Sequence, residues 1–405
     1  MRIAVYTWNA AETLERDVSL PISGWLTSIG SEGSSSATAP DICAVGFQEA
    51  ISLSAALAGY TASHLDKFES KIRNALDSQT NEDGTDLSYT LMGRRSIGAL
   101  ALLVFVKDQL SRSIQDISTA VVGCGPLFMS NKGAVGLRFR LEDTREVFTF
   151  VTAHLAPHDY NVLRRNIDWQ SIVSRLTFAP GSGNERYQIY DTDYLYVFGD
   201  LNYRTSKEEP RPLTKEKFAT MLQQEDYAAA LAHDQLRIEA NAGRTLHKLI
   251  EAAITFPPSY KYHKGTDQLV AFSKRTPSWC DRILHLPGTN HAVTKYTSIH
   301  LPNPSDHKPV VAIYSVERSS DSSASNKASP YQIDTAAWVK ATIGWLLDRT
   351  VGNAWRFVTF IGLGSDKFGI LVLLLASLAI FLSKQSNFNI VDTLAIASER
   401  LKRQD

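Results

Sequence analysis

The chain has 405 residues, with 42 Lys and Arg against 42 Asp and Glu, so no net charge draws it onto nucleic acid or an acidic membrane. At 44% hydrophobic and 21% charged it has the make-up of a folded globular chain. Three widely spaced cysteines, Cys43, Cys124 and Cys280, form no CxxC pair and no even-numbered framework, which points to a reducing compartment.

The N-terminal MRIAVYTWNAAE turns polar too early for a signal peptide and reads as a strand. Along the chain RIAVYTW, DICAVGF, ALALLVFV, GAVGLRFRL, VFTFVTAHL, YLYVFG, CDRILHL and KPVVAIYSV read as strands. They are short, bounded by turn residues and rich in Val, Ile and aromatics. EDTRE at 142–146 reads as a hairpin turn. Helices are expected over about 54–77, 161–178, 214–234 and 240–254. Strands mixed with helices predict an α/β architecture with sheets buried under helices.

Composition changes at residue 318. RSSDSSASNKASP opens a Ser-rich flexible linker, 318–335. The segment 336–366 carries Trp338, Trp345 and Trp355 and reads as an amphipathic interfacial stretch. FGILVLLLASLAIFL at 368–382 has no charge and is flanked by Lys367 and Lys384. It is shorter than the roughly 20 residues of an average span. Snorkelling lysines lengthen it, and a short span suits a thin bilayer. We read 367–384 as a C-terminal transmembrane anchor, against the alternative of a buried core helix. Residues 385–405 form a short polar tail. This arrangement leaves 1–317 as the main domain, in the cytosol.

Polar residues stand where the apolar strands stop: Asn9, Gln48-Glu49, His154, Asp200-Leu201-Asn202, and Ser305-Asp306-His307 just before the last strand. Each alone is an ordinary turn residue or cap. Together they line one cleft if the strand ends converge. Carboxylate and amide oxygens suit a hard divalent cation, Mg²⁺ first. His154 and His158 are spaced HxxxH, but Pro157 interrupts the pair and no Glu follows the first, so zinc is set aside. In PSWCDRIL (277–284) a cysteine nucleophile would need an anion nest after the thiol. A carboxylate follows instead, so Cys280 reads as structural and Asp281 as the working group.

VFGDLNYR (197–204), TPSWCDRIL (276–284) and SDHKPV (305–310) together resemble the inositol polyphosphate 5-phosphatases. TWN, FQE, SNKGAVGLRF, TAHLAPHDYNVLRRN and SYKYHKGTD follow the family's order, over about 1–316. The tail looks similar to that of fungal members on the endoplasmic reticulum.

The resemblance implies a four-layer sandwich, two packed mixed sheets flanked by helices, with the membrane-anchor helix added. It implies Mg²⁺ on Glu49, with Asn9 beside it. Asp200 would orient and deprotonate the attacking water, and Asn202 would hold water or phosphate. His154 would donate to a phosphate oxygen. His307, paired with Asp281, would stabilise developing charge or position the nucleophile, and Asp306 would sit near the metal. Asn131 and Lys132 match positions near the 1-phosphate. Tyr260, Lys261 and Arg275 match those reading the 4-phosphate. The lysine expected four before Pro277 is Ser273 here, with Lys274 beside it. Arg282 reads either as an organiser of the acidic cleft or as a structural ion-pair partner.

The expected function is Mg²⁺-dependent hydrolysis of the 5-phosphate of phosphatidylinositol 4,5-bisphosphate at a membrane. The catalytic domain, 1–317, is expected to be monomeric, to bind no nucleic acid, and to face the cytosol from the endoplasmic reticulum membrane. The alternatives are a nuclease or sphingomyelinase on the same fold, or a silent anchored scaffold.

Overall fold

Eight apolar runs become the inner strands of two sheets, and four more polar strands close the edges. The computed structural model describes all residues except 16–38, 80–84, 180–184, 209, 271–274, 289–290, 301–303, 319–327 and 361–405. The strands are β1 (Arg2–Asn9), β2 (Ile42–Gln48), β3 (Tyr89–Ile97), β4 (Leu100–Lys107), β5 (Ile114–Gly123), β6 (Gly133–Leu141), β7 (Val147–His154), β8 (Tyr194–Asp200), β9 (Ile250–Glu251), β10 (Asp281–His285), β11 (His291–Ser298) and β12 (Val310–Val316). One six-stranded sheet has the order β11-β12-β1-β2-β4-β3, the other β5-β6-β7-β8-β10-β9. Both are mixed: β1–β2 and β7–β8 run parallel and their other neighbours antiparallel. Residues 142–146 turn β6 into β7 as expected.

The helices are α1 (Leu53–Leu57), α2 (Thr61–Asp77), α3 (Asp108–Ser111), α4 (Val162–Arg175), α5 (Lys215–Gln223), α6 (Tyr227–Leu231), α7 (Gln235–Asn241) and α8 (Ala337–Phe360). Two cover the expected 54–77 stretch, because the chain turns between Ala58 and Tyr60. The 214–234 stretch breaks at Glu225, which takes a φ of 54°, and Asp226 caps the next helix by accepting from the Ala229 N–H. The helix expected over 240–254 is corrected. Only Ala240 and Asn241 are helical, since Leu246 and Lys248 take left-handed φ values before β9.

Strand alternation sets the layers. Val5, Ala44, Leu102 and Val104 of one sheet meet Leu137, Phe150 and Phe198 of the other in a central core. Tyr6, Cys43, Val45 and Phe105 face outward onto Leu65, Phe68 and Ile72 of α2. Val151, Leu195 and Val197 face Trp169, Ile172 and Val173 of α4. The resulting order is helix, sheet, sheet, helix.

The C-terminal region lies against this sandwich. Asp334 N–H donates to the Ser174 carbonyl at 2.9 Å, and Lys248 Nζ donates to the Ala328 carbonyl at 2.8 Å. The described end of the 318–335 segment is thus held to the domain. Helix α8 packs on α1 and on the loop before β6, while Trp338, Trp345 and Phe357 stay exposed. No helix among the described residues is long and apolar enough to cross a membrane. The 367–384 stretch read as an anchor lies outside the described residues, as does the tail.

Arg282 resolves into a structural role. It is fully buried on β10, and its guanidinium pairs with Asp234 at 2.8 Å and with both oxygens of Glu251. Removing one partner of a buried pair strands the others. Arg282→Leu is expected to lower the unfolding free energy by about 3–5 kcal/mol in urea titration. Unchanged stability with lost catalysis would return Arg282 to the cleft.

Candidate active site

Registers bring the polar strand ends together. Asn9, last in β1, lies opposite Gln48, last in β2. His154, last in β7, lies opposite Asp200, last in β8, and Asp281, first in β10, faces Asp200 from the other side. Strands β10 and β12 run antiparallel to β8 and β1, so their beginnings meet the others' ends. That delivers His307, just ahead of β12, into the same place.

Asp200 is the hub. Its Oδ2 accepts from Asn9 Nδ2 at 2.9 Å and lies 3.4 Å from His154 Nε2 and 4.0 Å from His307 Nε2. Its Oδ1 accepts from the Asn202 backbone N–H at 3.1 Å. Burial by itself would raise its pKa. The His154 hydrogen bond and the His307, His154 and Arg204 charges outweigh burial and hold the carboxyl below the usual range. Asp200 therefore stays ionised.

His307 Nδ1 meets Asp281 Oδ2 at 2.8 Å. Ser259 Oγ donates to the same carboxylate oxygen at 2.7 Å and accepts the Cys280 and Asp281 N–H groups, each at 3.1 Å. Trp8 Nε1 donates to the His307 carbonyl at 3.3 Å. Ser305 Oγ donates to the Asn9 carbonyl at 2.6 Å and accepts the His307 N–H at 3.0 Å. Burial pulls the imidazole pKa down, but the Asp281 charge and hydrogen bond, with Asp200 and Asp306, raise it to about 9. The site thus sets a positive imidazolium beside an ionised carboxylate, aimed at opposite partners of a hydrolysis.

Glu49 and Asn202 lie just beyond β2 and β8 in left-handed backbone, at φ 46° and 57°. Non-glycine residues held there are strained, and such strain concentrates at functional sites. The Glu49 carboxylate faces a cavity of about 210 Å³ with Glu12, Asn131, Lys132 and His154, and lies 3.8 Å from His154 Nε2. Ligand atoms of Asp200, Asp281 and His307 also lie within 4.8 Å of one another, close enough to hold an ion. His307 Nδ1 is already tied to Asp281, however, and Asn9 spends both amide ends, on Asp200 and on the Ala11 N–H. Asp281 Oδ1 is buried without a hydrogen-bond partner. The open oxygens of Glu49 and Asp281, with Asp200, are the donor chemistry of a hard divalent cation.

Cations flank this centre. Lys132 is half-buried near Glu49 and Asp200, and partial desolvation lowers its pKa. On the other side the Tyr260 ring lies 4.4 Å from that of His307, with Arg204 over it at 4.5 Å. Arg275 Nη1 donates to Tyr260 Oη at 2.6 Å. Arg204, Arg275, Thr205 and His158 line a second cavity, about 120 Å³. Lys261 is turned away from it, paired with Asp306 at 2.8 Å, so Asp306 joins that ion pair and not the Asp200 chain. Lys274 lies outside the described residues.

His154 and His158 line different cavities, which agrees with setting zinc aside. Cys280 is buried, and burial pushes its thiol far above the usual range, so no thiolate forms. Sequence reasoning assigned no role to Arg204 or Ser259, and named Ser305 only as a polar residue ahead of the last strand. The only signal for Arg204 was its place at the end of VFGDLNYR.

A match to the family described as Endonuclease/Exonuclease/phosphatase family 2 covers residues 6–313. Type IV inositol polyphosphate 5-phosphatase 9 of Arabidopsis thaliana is 32% identical over 303 residues, covering 68% of this chain and 70% of the relative. The chain belongs to the inositol polyphosphate 5-phosphatases. These are phosphomonoesterases within the wider endonuclease/exonuclease/phosphatase fold. Type II inositol 1,4,5-trisphosphate 5-phosphatase of Mus musculus is 32% identical over 286 residues, 70% of this chain but only 27% of that protein. The chain thus spans little more than a quarter of the mouse relative's length. Among solved structures, the 5-phosphatase domain of SPsynaptojanin, in complex with inositol (1,4)-bisphosphate and calcium ion, matches with a TM-score of 0.62 and 25% identity, over 88% of this chain and 92% of that one.

As a 5-phosphatase the chain should depend on pH through His307. Its folded pKa lies above the ordinary 6.5, so the imidazolium is complete below that value and is lost as pH rises through about 9. The stability that the pair contributes follows the same course. Asp281→Asn is expected to move the His307 ring-proton NMR titration, and the alkaline limb of kcat/KM, back toward the ordinary histidine range. A limb unmoved by the substitution would assign it to another group.

Proposed function

We propose that this chain is a Mg²⁺-dependent phosphoinositide 5-phosphatase, acting on phosphatidylinositol 4,5-bisphosphate at a membrane surface. One observation carries the reading: the Asp281–His307 pair and ionised Asp200 lie between a pocket carrying Arg204 and Arg275 and a second in which Lys132 and Asn131 stand with the carboxylates of Glu49 and Glu12. A single reacting phosphate needs one clamp. A polyphosphorylated ring offers anions to both.

Asp200 orients the attacking water and takes its proton as the new P–O bond forms and the P–O bond to inositol, in line with it, breaks; the leaving inositol oxygen takes a proton from solvent water. Asn9 and the Asn202 N–H hold its carboxylate for that task. The His307 imidazolium and His154 face charge developing on the phosphoryl oxygens, a preorganised arrangement that favours the transition state over the ground state. Lys132 and Asn131 receive a phosphate on the Glu49 side, and Arg204, Arg275 and Tyr260 receive one on the other. A divalent cation on Glu49, with Asp281 and Asp200 near, would supply charge neutralisation at the phosphate. Mg²⁺ suits that oxygen-rich donor set.

The lipid form of the substrate is supported by exposed apolar residues. Tyr160, Leu163 and Ile167 stand out beside the pocket of His158, and Trp338, Trp345 and Phe357 project from α8. Clustered exposed apolar side chains mark interaction surfaces. The charge-free 368–382 run just beyond α8 supports an anchor, placed by our reading in the endoplasmic reticulum with the catalytic domain in the cytosol.

The test is phosphate release by the full chain from phosphatidylinositol 4,5-bisphosphate vesicles, inositol 1,4,5-trisphosphate, sphingomyelin and plasmid DNA, with Mg²⁺ and with EDTA. Release from the inositol substrates should require Mg²⁺, favour the lipid, and fall by about 10²–10⁴ in Asp200→Ala. Turnover of sphingomyelin or DNA alone would overturn the substrate. No turnover at all would leave a scaffold.

A further inference from the structure

Helix α8 docks in an unusual way. An amphipathic helix normally buries an apolar stripe. The buried residues of α8 are Gly344, Asp348 and Gly352, at i, i+4 and i+8 on one face. The one buried side chain with any reach is a carboxylate. Both its oxygens accept the Ser130 backbone N–H, at 3.1 and 3.2 Å.

The glycines let the backbones touch. A Cβ on Gly344 would stand 2.1 Å from the Phe128 carbonyl oxygen, and one on Gly352 would stand 2.3 Å from the Ala58 nitrogen. The contact therefore belongs to this face of the helix and no other. At its rim Arg349 donates to the Ala58 carbonyl, and Lys340 sits 5.6 Å over the Phe128 ring.

What α8 grips is the loop that leads into the site. Leu127 and Phe128 are in left-handed backbone, at φ 49° and 68°. Met129 and Ser130 follow, then Asn131 and Lys132, which line the 210 Å³ cavity with Glu49 and His154. Asn131 Oδ1 is buried with no hydrogen-bond partner. No carboxylate other than that of Asp348 accepts from the Ser130 N–H among the described residues. Burying a carboxylate is unfavourable unless its hydrogen bonds compensate, and an apolar helix has no need of one for docking.

We propose that Asp348 is a positioning residue, and that α8 is a clamp which sets Asn131 and Lys132 for a substrate phosphate through the Ser130 backbone. The inference rests on the 5-phosphatase reading for the identity of that phosphate. It makes substrate affinity depend on a helix outside the 6–313 family match.

Three full-chain variants test it: Asp348→Ala removes the acceptor, Asp348→Asn keeps one acceptor oxygen at the same size, and Gly352→Leu lifts the helix without altering Asp348. Binding of inositol 1,4,5-trisphosphate is measured by calorimetry in EDTA, beside kcat and KM with Mg²⁺, and folding is checked by thermal melts. Asp348→Ala and Gly352→Leu should weaken binding and raise KM about tenfold, with kcat within about threefold, because the lost contact precedes the chemistry. Asp348→Asn should recover most of the affinity. Wild-type affinity in both disrupting variants, or a fall in kcat at unchanged KM, would overturn the clamp. If Asp348→Ala fails to fold, Gly352→Leu and Asp348→Asn still decide. Wild type that binds but does not turn over would sink the enzymatic reading and leave the clamp to be judged on affinity. Wild type that fails to bind would sink both.

Discussion

His307 keeps its proton because Asp281 is buried against it, and the rest of the cleft is arranged around that contact. The two residues come from different sheets. Asp281 and Asp200 are neighbours across β10 and β8, while Asn9 ends β1 and His307 precedes β12 at the same end of the other sheet. The site exists only where the two sheets are stacked. Asn9 reaches across to Asp200 just as His307 reaches across to Asp281. Packing of the central core and charge state of the site are one structural fact. The low-dielectric surroundings that make an unpaired charge expensive also make these paired ones hold their ionisation.

The strands legible in the sequence were those buried on both faces. All four strands that went unpredicted, β3, β5, β9 and β11, lie at sheet edges. An edge strand is half solvated, and polar residues there discourage pairing with other chains. HAVTKYTS and IQDISTAVVG accordingly lack the continuous apolar run that marks the inner strands. Helix extents failed for a local reason. Periodicity runs on through Glu225 and Leu246, but single left-handed residues turn the backbone there, and nothing in the spacing of apolar residues encodes such a turn.

Site residues divide in the same manner. Asn9, Glu49, His154, Asp200 and Asp281 were legible because a carboxylate, amide or imidazole at the end of an apolar run is conspicuous. Arg204 and Ser259 were not, since their roles arise from what packs near them. The WCDR stretch shows how one strand separates two charges. Trp279 and Ile283 face the core between the sheets, and Asp281 shares their side at the cleft end. Arg282 points the other way, to Asp234 and Glu251. Adjacent in sequence, the acid meets His307 at the cleft and the base is structural, because successive side chains on a strand leave on opposite faces.

Chemistry and recognition are built on different parts of this fold. Groups that we propose act on the reacting bond sit on or just beyond strand ends, held by registers that cannot slip without inverting a core. Groups that would bind the remaining phosphates sit on connections: Asn131 and Lys132 before β6, Arg204 after β8, Tyr260 and Arg275 before β10. Loops are free to change where strands are not, but that freedom leaves their cations unfixed unless something outside the sheets holds them. Tyr260 is held by Arg275 and by the His307 ring. The Ser130–Lys132 connection has no such internal partner for its leading N–H, and α8 supplies one. A helix that carries an exposed aromatic face and leads on to a charge-free run is thereby joined, through one carboxylate, to the residues that would meet the substrate. In the clamp we propose, the connection from α8 to the cavity of Glu49 runs through only three residues, Asp348, Ser130 and Lys132, and bypasses the Asp281–His307 pair.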